Sequence, residues 1–174
     1  INPLSVSIQM DGRMTYADNS LTAEVQPYRW QLDNGNYILL GVQTTNTRTG
    51  QIAISQRAAG SGLDYVSGAI DTYTPDINVP FNVASRHGST FINGAVDGTA
   101  LTANTTPVAL PDLSTTNLEL GYIFMGTIGK FRVWSDDLTD TGIATASAPS
   151  TEPSLQLTFD GSSTSSFKVL DWSE

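Results

Sequence analysis

The chain has 174 residues, of which 39% are hydrophobic, so it is long enough to bury one sizeable core, and we predict a single domain over residues 1–174. Only 14% of the residues are charged and the net charge is -9, which argues against a nucleic-acid partner because most of the surface would repel a polyanion. The lack of cysteine excludes a disulfide scaffold and a thiolate metal site, and no apolar run reaches the length that membrane insertion needs.

The first part of the chain is predicted to form short strands. Residues 4–10 alternate apolar and polar side chains, which is the period of a half-buried strand. Residues 28–32 and 37–42 flank Asn34-Gly35, a pair typical of a hairpin with a type I′ turn. Because residues 37–42 are apolar on both faces, we expect a central strand that is covered on both sides.

The middle of the chain continues this pattern. Residues 51–57 and 63–70 are predicted to be strands, and residues 71–80, which contain proline and aspartate, are predicted to be a loop. Residues 81–92 are predicted to form a hairpin. Its turn would be at His87-Gly88, which would place the histidine at the surface.

Residues 118–143 show the clearest pattern. Apolar residues alternate in two runs, which predicts two half-buried strands. Ile128 has the wrong parity relative to Phe131, so the alternation is expected to slip near Gly129, as it does at a β-bulge. Ser135 and the acidic residues after it predict the N-cap and first turn of a short helical segment.

The remaining segments connect or complete the sheets. Residues 99–111 are predicted to be an exposed connector, and residues 144–153, rich in Ala, Ser, Thr and Pro, a flexible crossing segment. Residues 155–159 and 167–172 are predicted to be the last two strands and to pair with the N-terminal strand. The sequence therefore predicts an all-β fold, a two-sheet antiparallel β-sandwich.

A family resemblance points to the same fold. Residues 118–143 contain L-x-L-G, then G-x-I-x-x-F-R-V-W and D-D-L-T, and they follow a strand that ends in Asn93-Gly94. This combination, within residues 82–146, resembles the concanavalin A-like lectin and glucanase fold in its laminin G-like form. More narrowly, it resembles the lectin-like domains of tailed-bacteriophage structural proteins. The resemblance implies a jelly roll, a fold that serves lectins, hydrolases, lyases and adhesion modules alike.

The catalytic residues of such hydrolases and lyases are missing. The laminarinase-like hydrolases carry E-x-D-x-x-E on one strand, which places the carboxylates on one face; here Glu24 and Glu119 are far apart in the sequence. The lyases cluster Arg, His and Tyr, whereas His87 is the single histidine and lies in a predicted turn. Nucleophile, phosphate-loop and H-E-x-x-H motifs are also absent. We therefore predict that the protein is not an enzyme.

Calcium is the one metal that the sequence leaves open. Laminin G-like domains often hold calcium at a sheet rim through aspartate and carbonyl oxygens. Asp136, Asp137 and Asp140 offer carboxylates in one turn, and Asp71 and Asp76 offer them in another. We select Asp136, Asp137 and Asp76 as the candidate ligands. Neither turn has EF-hand spacing, and the alternative is that the carboxylates cap the following segment. No other cofactor is predicted.

Glycan binding needs aromatic faces that stack on sugar rings, with amide or charged groups beside them. We selected as ligand-binding candidates Tyr73, Trp134, Arg132, Asn78 and Trp30. Tyr73 lies in a proline-rich loop and is expected to be the aromatic residue that the core needs least. The wider set of candidates comprises Tyr65, Trp172, Asn34, Asn36, Asn46 and Arg86. The alternative for each aromatic residue is structural packing.

Together these features predict a non-enzymatic module on the surface of a bacteriophage virion, in a tail fibre, spike or head decoration, that attaches to a glycan or host surface. The virion location is implied by the resemblance alone. The expected partners are other virion proteins and a host-surface glycan, with a homo-oligomer left open. The alternatives are a purely structural cement or spike module that binds virion proteins and no sugar, and an accessory domain of a secreted polysaccharide-processing enzyme.

Overall fold

Strands make up most of the structure. The structure is a computed structural model that describes residues 5–16, 24–44, 47–59 and 62–150. In these ranges the strands are β1 (Ser5–Tyr16), β2 (Glu24–Asp33), β3 (Asn36–Gln43), β4 (Ile52–Arg57), β5 (Leu63–Ser67), β6 (Asp76–Gly88), β7 (Ile92–Val96), β8 (Thr99–Ala100), β9 (Leu118–Tyr122) and β10 (Gly126–Trp134), and the helix is α1 (Thr139–Ala146).

The strands form two five-stranded sheets. Sheet A has the order β10-β1-β6-β7-β8 and sheet B the order β5-β4-β3-β2-β9. All strand pairs are antiparallel, which confirms the predicted all-β sandwich. β3 lies in the middle of sheet B with five consecutive buried residues, as predicted for a central strand. The single domain over residues 1–174 stays a prediction, because part of that range lies outside the described residues.

The core lies between the two sheets. On β1, Ile8 and Met10 are fully buried, and they pair with Ser85 and Val83 of β6. The Tyr28 hydroxyl of sheet B forms a hydrogen bond with the Ser85 hydroxyl of sheet A, so both polar groups are satisfied in an apolar interior. Burial raises the pKa of Tyr28 well above its usual value, and the hydroxyl therefore stays neutral.

The predicted slip near Gly129 is confirmed as a β-bulge. Asp11 of β1 pairs with Lys130, but the next residue, Gly12, pairs with Ile128. Gly129 is thus the extra residue on β10. The bulge restores the apolar side chains of β10 to the core side of sheet A.

The hairpin at Asn34-Gly35 forms with a different turn from the predicted one. β2 and β3 pair up to Asp33 and Asn36, so Asn34-Gly35 is the two-residue connection that the sequence predicts. Neither residue is among those with positive φ, which a type I′ turn requires at both positions. Instead, the Asp33 carboxylate accepts hydrogen bonds from the Gly35 backbone N–H at 2.7 Å and from Asn36 Nδ2 at 3.1 Å. The hairpin prediction is confirmed and the turn type is wrong, because the aspartate side chain holds the turn.

Strand β6 is longer at both ends than the sequence predicts. It begins at Asp76, inside the predicted loop 71–80, and it continues through His87. His87 pairs with Val6 on one side and Ile92 on the other, and it is 0% exposed. The predicted surface turn is therefore wrong, because pairing with two neighbouring strands extends β6 beyond the point where local turn residues suggest an end.

The helix α1 also differs from its prediction. Its N-cap position is Leu138, which makes no side-chain capping hydrogen bond, rather than Ser135. The helix extends to Ala146 and thus takes up the start of residues 144–153, the predicted flexible segment. The reason is tertiary: the helix packs on a sheet, which overrides its weak local signals.

α1 covers part of the outer face of sheet A. Ile143 is fully buried and packs against Ala84 and Ala95, whose small side chains let the helix approach the sheet. Beside them, Arg86 donates a hydrogen bond to Asp140 at 2.7 Å. The helix is therefore held on the sheet by apolar packing and by an ion pair.

The last two predicted strands, residues 155–159 and 167–172, lie outside the described residues. Their predicted partner was the N-terminal strand. Within the described residues, β1 pairs with β6 along one edge and with β10 along the other, so both of its edges are occupied.

Candidate functional site

A groove of about 320 Å³ lies on the outer face of sheet B, and we call it the outer groove. Alternation along β3 points Ile38, Leu40 and Val42 into the core and leaves the residues between them on the outer face. Four strands, β2 to β5, and the loop before β4 contribute to the groove. Its polar and aromatic lining includes Glu24, Tyr37, Gln43, Arg48, Ser55 and Tyr65.

The Glu24 carboxylate lies over Gly41 in this groove. It accepts hydrogen bonds from Gln26 Nε2 at 2.7 Å and Gln43 Nε2 at 2.9 Å. A Cβ atom at position 41 would overlap the carboxylate, so the glycine makes room for it. Burial raises the pKa of Glu24, while the two amide donors act in the opposite direction. The result is a partly dehydrated acceptor that the two amides hold in place.

Tyr65 presents its ring to the groove. It lies on β5, where exposed and buried residues alternate, and 53% of its surface is exposed. Its neighbour Asp64 points inward and accepts a hydrogen bond from the Val108 backbone N–H at 2.7 Å. Tyr65 pairs across the strands with Ser55, so a hydroxyl lies next to the ring. An exposed ring beside polar groups is an arrangement that can stack on a sugar ring.

A positive charge is also present. Arg48 lies in the turn before β4 and is exposed. The backbone of this turn is fixed, because the Gln51 N–H donates to the Arg48 carbonyl at 3.0 Å. The groove thus combines a cation, a carboxylate and two tyrosine side chains, Tyr37 and Tyr65.

A second hollow, of about 440 Å³, brings together three of the residues selected from the sequence: Tyr73, Asp76 and Asn78. Tyr73, however, is only 4% exposed and belongs to the core cluster. Its hydroxyl accepts a hydrogen bond from the Asn82 backbone N–H at 3.2 Å, and burial raises its pKa. The expectation that the core needs Tyr73 least is therefore wrong: the loop folds inward and the ring fills the end of the core.

The other selected residues are dispersed. Trp30 is 8% exposed, and its indole N–H donates to the Thr116 carbonyl at 3.2 Å, so it is a packing residue. Trp134 and Arg132 pair with Ser7 and Gln9 in sheet A, and the parity predicted for them is confirmed. They lie in the other sheet from the outer groove. The roles of Trp134 and Arg132 in ligand binding stay predictions.

The acidic residues predicted as calcium ligands have partners of their own. Asp137 forms an ion pair with Arg86 at 2.9 Å, and its carboxylate also accepts from the Thr139 N–H at 2.8 Å. Asp76 accepts from the Ile77 N–H at 2.7 Å, and the carbonyl of Asp136 accepts from the Ser7 hydroxyl. Among the residues that the structure describes, no group of three or more His, Cys, Asp or Glu side chains is placed to hold a metal ion. Calcium binding stays a prediction.

The sequence alone predicts only some of the residues that line the outer groove. Tyr65 is one of the wider candidates, but Glu24, Tyr37 and Arg48 carry no motif. They come from separate segments that only the order of strands in sheet B brings together. The alternation around Tyr65 was the one local signal.

Solved structures share this fold. No protein-family model and no curated protein matches the chain. The leech intramolecular trans-sialidase in complex with 2,7-anhydro-Neu5Ac is similar over 86% of this chain and 24% of its own, with a TM-score of 0.62 and 18% identity. The CBM40 of the Ruminococcus gnavus IT-sialidase, bound to α2,3-sialyllactose, is similar over 84% of this chain and 83% of its own, with a TM-score of 0.62 and 14% identity.

A third similar structure is the heptameric SAP-like pentraxin of Limulus polyphemus, with a TM-score of 0.52 and 12% identity over 83% of this chain and 71% of its own. The chain spans about a quarter of the leech enzyme. At these identities the likeness shows the fold alone, a two-sheet β-sandwich. Within the described residues no helix is both long and apolar enough to cross a membrane.

Proposed function

We propose that this protein is a non-enzymatic glycan-binding module and that the outer groove is its binding site. The observation that carries the proposal is the exposed ring of Tyr65 beside the Ser55 hydroxyl, in a groove that Glu24 and Gln43 also line. A structural neighbour, the CBM40 of the Ruminococcus gnavus IT-sialidase, is bound to sialyllactose, which supports a sugar as the ligand class.

The chemistry of the groove suits a small polyhydroxylated ligand. The Tyr65 ring can stack on the apolar face of a pyranose, and Glu24, held by two amides, can accept from sugar hydroxyls. Arg48 can pair with an acidic substituent of the sugar. The volume of about 320 Å³ is at the lower end for ligand pockets, which favours recognition of one end of a glycan.

The same groove supports binding without hydrolysis. Glycosidases require two carboxylates that flank the scissile bond, and Glu24 is the one acidic residue that lines the groove among the described residues. The single histidine, His87, is buried in sheet A. These observations support the prediction that the module does not catalyse a reaction.

The test is a glycan array with the purified chain, with sialylated and neutral glycans, in calcium and in chelator. We expect saturable binding that Tyr65→Ala weakens by about tenfold, a typical loss for a ring that stacks on a ligand. The matched control is Tyr122→Ala, which removes an exposed tyrosine of β9 outside the groove. Equal losses of glycan binding in both variants, or full glycan binding by a folded Tyr65→Ala protein, would show that the outer groove is not the binding site.

We also propose that the module is displayed on the surface of a bacteriophage particle, where it contacts other virion proteins and a host-surface glycan. The resemblance of residues 82–146 to the lectin-like domains of tailed-bacteriophage structural proteins supports this location. Immunogold labelling of intact particles with an antibody against the chain would test it. Labelled particles together with a folded chain that binds no glycan would instead favour the structural cement or spike module.

A further inference from the structure

The chain contains two Asn-Gly pairs, and the fold places them in opposite environments. Asn34-Gly35 is the two-residue connection between β2 and β3, where Asn34 is exposed to solvent. Asn93-Gly94 lies in β7, and Asn93 is fully buried. Because glycine has no side chain, its backbone nitrogen is open to approach by the side chain of the residue before it. The two pairs therefore share a sequence and differ only in their surroundings.

Hydrogen bonds prepare both reacting groups of the exposed pair. The Gly35 backbone N–H donates to the Asp33 carboxylate at 2.7 Å, a distance at which a base can take up the proton. Gln31 Nε2 donates to Asn34 Oδ1 at 3.2 Å, which polarises the side-chain carbonyl as an oxyanion donor does. The hydrogen bond from Gly35 is also the main cause that lowers the pKa of Asp33, so this carboxylate is ionised at neutral pH. The turn thus holds a nucleophile beside a base and a carbonyl beside a donor.

We infer that Asn34 is a site of spontaneous deamidation in the folded protein, and that Asp33 and Gln31 promote the reaction. The Gly35 nitrogen forms a bond to Asn34 Cγ while its proton passes to the Asp33 carboxylate. The bond from Cγ to Nδ2 then breaks, and the amide group leaves as ammonia with that proton. The product is a five-membered succinimide ring, which water opens at one of its two carbonyl carbons to give aspartate or isoaspartate.

The buried pair lacks these features. Asn93 Oδ1 accepts from the Gly94 N–H at 2.8 Å, so the proton of this nitrogen faces the carbonyl oxygen instead of a base. Asn93 Nδ2 donates to the Leu101 carbonyl at 3.1 Å and to the Asp140 carboxylate at 2.7 Å. β7 pairs with β6 and β8, and a backbone held in this way reacts only when the strand opens locally. Asn93 is therefore a protected reference within the same molecule.

Deamidation would change the charge and the shape of the hairpin end. Arg57 Nη1 donates to the Asn34 carbonyl at 3.3 Å, so the new carboxylate would be introduced near a cation. Isoaspartate would also add a carbon atom to the backbone of a connection that has only two residues, and the length of such a connection sets the strand register. Tyr37, in the strand that follows, lines the outer groove. The reaction would therefore alter the hairpin that carries a tyrosine of the groove.

The test follows both asparagines during incubation of the full-length protein in mildly alkaline buffer. Trypsin separates the two pairs into different peptides, because it cleaves on both sides of each pair, after Arg29, Arg48, Arg86 and Lys130. Mass spectrometry measures the converted fraction, and fragmentation assigns it to a residue. In the folded chain we expect Asn34 to convert at least about tenfold faster than Asn93, which must wait for local opening. In urea, where both pairs are exposed, the two rates should be similar.

Two substitutions separate the effect of the folded turn from that of the Asn-Gly pair itself. Gln31→Met removes the donor to the carbonyl at similar size and should slow the conversion of Asn34 by about threefold, the effect of one exposed hydrogen bond. Asp33→Asn keeps an acceptor for the Gly35 N–H but removes the base, and it should slow the conversion by about tenfold or more. Neither substitution should change the rate at Asn93.

Three results would overturn the inference. Equal conversion of Asn34 and Asn93 in the folded chain would mean that the turn gives Asn34 no special reactivity. Conversion of Asn34 that is about tenfold faster in urea than in the folded chain would mean that the fold protects the turn. Unchanged rates in both variants, with circular dichroism spectra of folded proteins, would mean that Asp33 and Gln31 do not promote the reaction.

Discussion

Mild acidification should destabilise this protein through the buried residue His87. Its side chain is fully buried on β6, and neither ring nitrogen has a hydrogen-bond partner among the described residues. Burial lowers the pKa of His87 from 6.5 to about 3. In the pH range between these two values, the unfolded chain binds a proton at this residue that the folded chain does not bind.

The sign and size of the effect follow from proton linkage. Since the pKa of His87 is depressed in the folded state, stability is complete above pH 6.5 and falls as the pH decreases, by up to about 1.4 kcal/mol per pH unit. Between pH 8 and pH 5 the loss from this residue amounts to about 2 kcal/mol. Burial also raises the pKa of the Glu24 carboxyl, which acts in the opposite direction, so a variant that lacks His87 is needed to separate the histidine contribution.

Urea unfolding at several pH values, with and without His87→Leu, measures the effect. The native protein should lose about 2 kcal/mol of unfolding free energy between pH 8 and pH 5, and the variant should lose much less. The leucine leaves no hydrogen bond unmade, because the imidazole has no partner among the described residues. An equal pH dependence in both proteins would refute the reasoning and would mean that His87 is accessible to protons in the folded state.

Two further changes test the packing of sheet A. Arg86→Met should lower the free energy of unfolding in urea by about 2 kcal/mol, which is less than for a fully buried pair because water reaches the carboxylates that pair with Arg86. The control Arg132→Met, at an exposed residue, should change this free energy by less than about 0.5 kcal/mol. Similar losses in both variants would contradict the role of the ion pairs. Gly94→Ala should cost about 1–3 kcal/mol in melting experiments, because the new Cβ would lie 2.5 Å from Ile54 Cγ1. The control Gly62→Ala, whose added Cβ would meet nothing within 4 Å, should be nearly neutral. A neutral Gly94→Ala would show that the sheets can separate there.

Much of the fold could be predicted because strand periodicity is local. The parity of Phe131 and the slip at Gly129 were visible in the sequence, and the pairing of β10 with β1 confirms both. The hairpin at Asn34-Gly35 was also predicted, although its turn type was not. That turn depends on a hydrogen bond to the Asp33 side chain. The known preference of the Asn-Gly pair for one turn type carries no information about this neighbouring side chain.

The wrong predictions concern residues whose structure depends on contacts with distant segments of the chain. Nothing near His87 indicates that β6 continues, because the partners that extend the strand, Val6 and Ile92, belong to other segments. The proline residues near Tyr73 predict a loop whose aromatic residue the core needs least, yet the loop folds over the end of the core. The outer groove shows the same limit, since the strand order of sheet B joins Glu24, Arg48 and Tyr65 from positions that share no spacing rule.

The alternation of exposure along β5 separates two kinds of residue on one strand. Asp64 and Val66 face inward and maintain the fold, whereas Leu63, Tyr65 and Ser67 face the groove. If the outer groove binds a glycan as we propose, substitutions at the three outward positions would change which glycan is preferred while leaving the core intact. Ligand preference could therefore diversify during evolution, or be selected from a library randomised at these positions, with little loss of folding stability.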